Sequence, residues 1–388
     1  MTSAAPPCGA TAYAGLLSVH PKTANTKMAT KFSAEGWARQ ILQLTTLMRS
    51  LRATERCRRD FVLLLGSLTP LPPPERTALT AAGFLLRETP PVKLGVAVID
   101  KLAAFRLTAY RRILFLDADA VALRPLDDAF ALPPGFAMVA HPHDMTQGAA
   151  CGIPVWRRAL SALMLLEPSE ATYAALLAHT KEKPDLWDAA LTKHTPEQTG
   201  LACYHYARGA LTTLPSWWFY DIGLVWHAPG SHHHLGCRKR AAVPRAECDA
   251  AAEHVRANCS WDRVAAHARA VHFKGKQKPM KNTLDGCKRG AAQYSGVASW
   301  AMANLTFGDD ALDLRWDAGE RRCLTHPGRR PAVWQATDKP VARLCCSHVA
   351  LLKSYWARFY REAADGGRTA SEAKLGPGRR PLGSRVFS

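Results

Sequence analysis

The sequence predicts an α/β protein with a mainly parallel central sheet and helices on both faces. Three observations carry this. Short apolar runs of strand length recur through the first 273 residues. They alternate with stretches whose apolar residues return every three or four positions. One apolar run ends in two carboxylates, as expected where the strands of an open α/β sheet deliver ligand-binding groups at their carboxyl ends.

The elements follow in order. Thr11–Ser18 reads as a short strand, and Ala34–Leu51, with Leu and Ile at helical spacing, as a helix. Phe61–Gly66 (FVLLLG) is continuously apolar, the mark of a parallel strand buried on both faces. A proline-rich turn, Thr69–Pro74, precedes a short helix at Glu75–Ala82 and a strand at Phe84–Glu88. Leu102–Tyr110 reads as helix and Arg111–Leu123 (RRILFLDADAVAL) as one strand ending in carboxylates. Phe136–Ala140 and Ser161–Leu166 are further apolar segments, and Pro168-Ser-Glu170 opens a helix running to His179. Trp217–Trp226 is aromatic and strand-like. His232–Arg263, rich in His, Cys and Arg, reads as an irregular insertion, and Ala270–Phe273 as a last strand before a Gly/Lys loop.

The chain has 388 residues, 47% of them hydrophobic and 21% charged, which excludes wholesale disorder and allows a sizeable core. That length suits two or three domains, or one large domain with an extension. Lys and Arg total 51 against 32 Asp and Glu, a net charge of +19. Such a field suits anionic ligands, and it equally serves solubility. Nucleic acid is not expected, because no recognisable module or aromatic interleaving accompanies the charge. The cluster Arg49, Arg52, Arg56, Arg58 and Arg59 reads as a solvated helix end.

No apolar run reaches the roughly 18 residues of a spanning helix, and the first residues make a poor signal peptide. A cytoplasmic protein is therefore expected. The alternative is the Golgi lumen, suggested by eleven cysteines without a C-x-x-C pair and by the sequons at Asn258 and Asn304.

The chemistry concentrates at Ile113-Leu-Phe-Leu-Asp117-Ala118-Asp119. Two acids so placed suit one hard cation, Mn²⁺ or Mg²⁺, beside phosphates. Two enzyme classes share the pattern. In dehalogenase-type phosphatases Asp117 would be nucleophile and Asp119 acid/base. In nucleotide-sugar transferases the pair holds a metal on the donor diphosphate. Val271-His272-Phe-Lys-Gly275-Lys-Gln-Lys278-Pro279 discriminates: His272 suits a third metal position, Gly275 lets backbone approach phosphate, and Lys278 neutralises a diphosphate.

With these residues the chain resembles glycosyltransferase family 8, specifically its glycogenin-like and plant glucuronosyltransferase-like members. Asp100-Lys101-Leu102 looks like the family's Thr-Lys-Leu. Tyr110 through Asp119 and Leu126-Asp127-Asp128 resemble its Asp-Ala-Asp and Ile-Asp-Asp-Leu-Phe segment. Glu167-Pro-Ser-Glu170-Ala-Thr-Tyr173 resembles a helix entry. Gln198-Thr-Gly200-Leu201 is similar to the loop Gly-Asp-Gln-Gly-Phe-Leu, with Glu197 in place of Asp. His272–Pro279 is similar to His-x-x-Gly-x-x-Lys-Pro-Trp, with Met280 for Trp. The family's Asn-Ser-Gly is here Leu160-Ser161-Ala162.

The resemblance implies a GT-A (Rossmann-like) nucleotide-diphospho-sugar transferase fold. It also implies a retaining hexosyl or glucuronosyl transfer from a UDP-sugar to a protein or glycan acceptor. Asp117, Asp119 and His272 would hold Mn²⁺, with Mg²⁺ as substitute. Lys101, Asp117, Ala118, Asp119, Gly275 and Lys278 would bind the donor. Gln198 would lie near the reacting carbon, and Glu197 is the other catalytic candidate. A non-catalytic nucleotide-sugar-binding homologue and a dehalogenase-type phosphatase are the alternatives, and a homodimer is left open. The expected organisation is a transferase domain over 10–282 containing the 232–263 insertion, an extension over 283–365, and a disordered basic tail over 366–388.

Overall fold

The computed structural model describes residues 7–18, 34–66, 71–92, 97–141, 144–188, 191, 196–216, 218–221, 245–258, 267–272, 315–317 and 322–324. The strands are β1 (Pro7–Leu17), β2 (Arg58–Leu65), β3 (Phe84–Glu88), β4 (Arg112–Leu116), β5 (Ala120–Ala122), β6 (Phe136–Ala140), β7 (Ala159–Leu166), β8 (Leu211–Leu214), β9 (Phe219–Asp221), β10 (Ala270–His272), β11 (Arg315–Asp317) and β12 (Arg322–Leu324). The helices are α1 (Ala34–Thr54), α2 (Pro73–Ala81), α3 (Met145–Cys151), α4 (Glu170–Glu182), α5 (Pro196–Ala207) and α6 (Arg245–Asn258).

The fold is α/β, as predicted. Seven strands form the central sheet in the order β3-β2-β1-β4-β7-β6-β8. Every pairing in it is parallel except the two made by β7, with β4 and β6. The strand order reverses between β1 and β4, and such a switch point opens a crevice beyond the carboxyl ends of the strands.

Side-chain alternation explains why these runs are strands. In β4, Leu114 and Leu116 face one apolar layer and Ile113 and Phe115 the other. In β2, Phe61, Leu63 and Leu65 oppose Val62 and Leu64 in the same way. Each such side chain contributes about 1.5–3 kcal/mol on burial. Leu44, Leu47, Met48 and Leu51 of α1 cover the first face. Ile99, Leu102, Phe105, Leu176 of α4 and Leu201 of α5 cover the second. Ser169 caps α4 by accepting from the Thr172 N–H at 3.2 Å, which fixes the predicted helix entry.

Four expectations need correction. Arg111–Leu123 is not one strand: β4 stops at Leu116, and a turn closed by Ala120 N–H to the Asp117 carbonyl (3.2 Å) sends β5 into a second sheet. Leu102–Tyr110 is not α-helix, because a 3-10 helix runs from Ala97 to Arg106 instead. The insertion at 232–263 contains the regular helix α6, where the Ala-rich run favours helix and Cys248 and Ala251 pack on Val155. The basic cluster from Arg49 to Arg59 is not simply a solvated helix end, since it runs past α1 into β2. Arg59 is buried and pairs with Asp127 at 2.6 Å, and Arg56 meets Asp128 at 3.2 Å.

The described disulfides join Cys8 to Cys57 and Cys151 to Cys203, and Cys248 is disulfide-bonded as well. No helix among the described residues is long and apolar enough to cross a membrane. Gly275, Lys278, His232–His234, Trp226 and the 366–388 tail lie outside the described residues.

Candidate active site

The site is built at the carboxyl end of β4. Five consecutive buried residues carry the chain to Leu116, and the tight turn then presents Asp117 and Asp119 on either side of Ala118. Asp117 is anchored by its own N–H, which donates to the Ala162 carbonyl of β7 at 2.9 Å. Immediately after the turn, β5 pairs antiparallel with β10, with Ala120 opposite His272. This register delivers a histidine distant in sequence to the carboxylates. His272 Nε2 lies 3.2 Å from Asp119 Oδ1 and 4.0 Å from Asp117 Oδ2. Its ring stacks on buried Phe219 of β9 (centroids 5.8 Å apart), which holds the imidazole plane.

Donor atoms of Asp117, Asp119 and His272 lie within 4.8 Å of one another. Two carboxylates and one imidazole are a fitting set for Mn²⁺, which accepts both oxygen and nitrogen. Asp117 divides its two oxygens: Oδ2 faces His272, while Oδ1 pairs with Lys101 Nζ at 2.8 Å. One oxygen of Asp117 thus remains turned toward the metal set while the other meets a fixed cation.

Lys101 is buried and also pairs with buried Glu197 at 3.1 Å. Burial is the largest influence on its pKa and acts to lower it. Asp117 and Glu197 together outweigh it, so the ammonium is held above its usual range. A lysine so enclosed is charged at any physiological pH, and breaking such a buried pair typically costs about 3–5 kcal/mol.

Glu197 and Gln198 belong to the first turn of α5 rather than to a loop. Both are buried. Ser161 of β7 donates to Glu197 Oε1 (2.8 Å), and its N–H donates to Gln198 Oε1 (3.4 Å). Glu197 Oε2 is buried and accepts no hydrogen bond among the described residues. Gln198 Nε2 donates to Asp144, which caps α3 through the Thr146 and Gln147 N–H groups (3.0 and 3.2 Å). Gly200 fits the next turn because a Cβ there would lie 2.4 Å from the Trp187 ring.

The structure therefore links Lys101, Asp117, Asp119, Glu197, Gln198 and His272 through one chain of contacts. Ala118, between the two acids, packs partly buried against the core. Asp144 and Ser161 are additional members. Asp144 was legible as a cap, because Asp144-x-x-Gln147 has the capping-box spacing. Ser161 sits inside an apolar strand, where nothing local marks its hydroxyl for use. Asp100, beside Lys101, ties neighbouring strand ends together. The Ser18 hydroxyl donates to its Oδ2 at 2.5 Å, and the Val92 N–H donates to Oδ1 at 2.8 Å.

The resemblance read from the sequence meets a curated counterpart. Over 148 residues the chain is 32% identical to a UDP-glucuronate:xylan alpha-glucuronosyltransferase 2 of Arabidopsis thaliana, covering 35% of this chain and 22% of that protein. Over 79 residues it is 37% identical to a glucose N-acetyltransferase 1 of Aspergillus fumigatus, covering 20% and 19%. The chain spans about a fifth of the length of these curated relatives. No family profile matches it. Among solved structures, the galactosyltransferase LgtC with donor and acceptor sugar analogues aligns with 76% of this chain and 96% of its own, at 11% identity and a TM-score of 0.45. The apo glycosyltransferase GlyE of Streptococcus pneumoniae aligns with 74% and 60%, at 15% identity and a TM-score of 0.42.

Proposed function

We propose that this chain is a retaining glycosyltransferase that moves a hexosyl or glucuronosyl group from a UDP-sugar to an acceptor hydroxyl on a glycan or protein. One observation carries the reading: the Asp117–Asp119–His272 set lies directly beside the buried Lys101–Glu197 pair at the sheet's switch point. The likeness to a plant protein named for UDP-glucuronate supports it. His272 beside the acids favours metal–diphosphate binding over a dehalogenase-type phosphatase.

A Mn²⁺ ion held by Asp117, Asp119 and His272 would supply Lewis-acid charge to the leaving diphosphate. The remaining work falls to the protein. Lys101 keeps a permanent positive charge next to Asp117, where negative charge on the donor gathers. Gly275 and Lys278 complete the diphosphate contacts in this reading, within a transferase domain over 10–282. Gln198 and Glu197, pinned by Asp144, Ser161 and Lys101, face the donor sugar. The buried Glu197 Oε2 is available to accept from a sugar hydroxyl or to stabilise positive charge at the anomeric carbon. In front-face transfer the anomeric C–O bond breaks with its electron pair passing to the β-phosphate oxygen. The acceptor oxygen bonds to the same face, and its proton passes to the departing phosphate.

The disulfides Cys8–Cys57 and Cys151–Cys203 favour the lumenal compartment over the cytoplasm. The test of function is calorimetric titration of UDP with Mn²⁺ and with EDTA, on the wild type and on Asp119→Ala, followed by UDP-glucose, UDP-galactose and UDP-glucuronate turnover. Metal-dependent UDP binding that the variant loses, with turnover of one donor, is the expected result. Absence of UDP binding in both conditions overturns the reading.

A further inference from the structure

Helices α3 and α5 meet beside the candidate site. Asp144 heads α3 and Gln198 lies in the first turn of α5, and the two side chains are hydrogen-bonded. Behind this contact, Cys151, the last residue of α3, is joined to Cys203 in the body of α5, with Cα atoms 5.7 Å apart. The helix pair is thus tied at its head by a hydrogen bond and at its rear by a covalent bond.

Helix α3 has little of its own to hold it. It is seven residues long, well below the roughly 12–15 at which isolated helices become even marginal. Its middle residue, Gly148, has the Arg158 guanidinium where a Cβ would stand. It stops at Gly152, whose φ of 67° ends the helix in the left-handed region. Among the described residues it is tethered by the Asp144–Gln198 contact, the Asp144 N–H donating to the His141 carbonyl (3.1 Å), the Gln147 amide bridging to Ala159 (2.6 and 2.8 Å), and the disulfide.

We propose that the Cys151–Cys203 disulfide is a positioning link for the transfer reaction: it fixes α3 against α5 so that Asp144 holds Gln198, and with it the first turn of α5, at the donor sugar. The proposal rests on the transferase reading above for its kinetic part. A displacement of about 1 Å at a reacting centre can lower a rate up to a hundredfold. The link is reversible by two electrons. A phosphine reductant with one water converts the disulfide to two thiols and is itself oxidised to the phosphine oxide.

The molecule carries its own control. Cys8–Cys57 ties the start of β1 to the entry of β2, at the amino ends of these strands, where Pro7 pairs with Arg58. The site lies at the other end. Its loss should cost stability without reaching Gln198.

The experiment compares full-length wild type, Cys151→Ser/Cys203→Ala and Cys8→Ala/Cys57→Ala. Intact mass after alkylation with and without reduction must first find both pairs oxidised in the wild type; free thiols at 151 and 203 overturn the proposal. For Cys151→Ser/Cys203→Ala, the expected result is a roughly tenfold fall in kcat for donor turnover, with UDP affinity in Mn²⁺ unchanged. Phosphine treatment of the wild type should reproduce the fall and reoxidation should reverse it. Cys8→Ala/Cys57→Ala should keep wild-type kcat. Amide hydrogen exchange separates this idea from the transferase reading: residues 144–148 and 197–200 should lose protection only when Cys151–Cys203 is lost. Changes confined to the neighbourhood of 151 and 203, or an unaltered kcat in an active enzyme, would reduce the link to a structural one. A wild type that neither binds UDP nor turns over a donor ends the transferase reading, while the exchange result still decides whether the link holds the two helix heads.

Discussion

Two pairs of aspartates lie close together in the chain and have opposite fates. Asp127 and Asp128 stand at the start of a 3-10 helix and are taken up by arginines. Arg59 reaches Asp127 from β2 at 2.6 Å, while Arg56 and Arg269 both reach Asp128, at 3.2 and 2.5 Å. The Arg59 guanidinium is further held over the Phe130 ring, 4.3 Å from its centroid. Among the described residues, Asp117 pairs with Lys101 through one oxygen, and both acids approach His272. The first pair is a neutralised latch that fastens β2 and the entry of β10 to the loop after β5. The second keeps oxygens converging on a common point. Residue type alone does not separate the two pairs; the partners that the fold brings to each do.

Breaking each pair in turn tests the comparison. The largest effect is expected from Asp119→Asn, which should abolish Mn²⁺-dependent UDP binding and lower donor turnover by about a thousandfold or more. Its urea-unfolding midpoint should change little, because the carboxylate is removed from a set already crowded with negative charge. The reverse pattern is expected of Asp127→Asn. It leaves buried Arg59 without its partner, so stability should fall by about 3 kcal/mol, read by urea titration, with KM for donor preserved.

The buried histidines sharpen the same contrast. His205 stacks on Phe136 (centroids 3.9 Å), and among the described residues its Nε2 has no hydrogen-bond partner. Burial first, then Arg208, pushes its pKa down to about 3. Between roughly pH 6.5 and 3 the unfolded chain binds a proton there that the folded chain refuses. Stability therefore falls as pH is lowered through that window. His205→Phe should flatten this slope by up to about 1.4 kcal/mol per pH unit, measured by denaturant titration at several pH values. The smallest effect belongs to Asp128→Asn. Its pairs are partly exposed, and the change should stay under about 1 kcal/mol and shrink further in high salt.

Much of this was legible without coordinates because it is local. The all-apolar runs of β2 and β4 announce strands buried on both faces, and Ser169 followed by Glu170 announces the start of α4. The Asp117–Asp119 spacing at the end of an apolar run announces two acids brought close together at a strand's carboxyl end. Other features were not legible for equally physical reasons. Nothing in RRILFLDADAVAL says that the chain leaves the sheet at Asp117, because the apolar pattern resumes at once in Ala120–Ala122. Helix α6 was hidden by its His- and Arg-rich flanks, and its docking depends on Glu247 finding Arg158. The reading of Gln198 as a loop residue missed that Pro196 can open a helix, being free of the N–H that a first turn leaves unused.

The sequence by itself determined the α/β class, most strand positions and the identity of the chemical groups, since periodicity, capping and side-chain chemistry are properties of neighbours along the chain. Only the tertiary structure decided which groups act together. Pairing of β5 with β10 brings His272 to Asp119, and burial turns Lys101 and Glu197 into a fixed ion pair. The arginines of β2 and the entry to β10 silence Asp127 and Asp128. Electrostatic partnership falls off over a few ångströms of space and takes no account of distance along the chain, so only the folded arrangement can assign it.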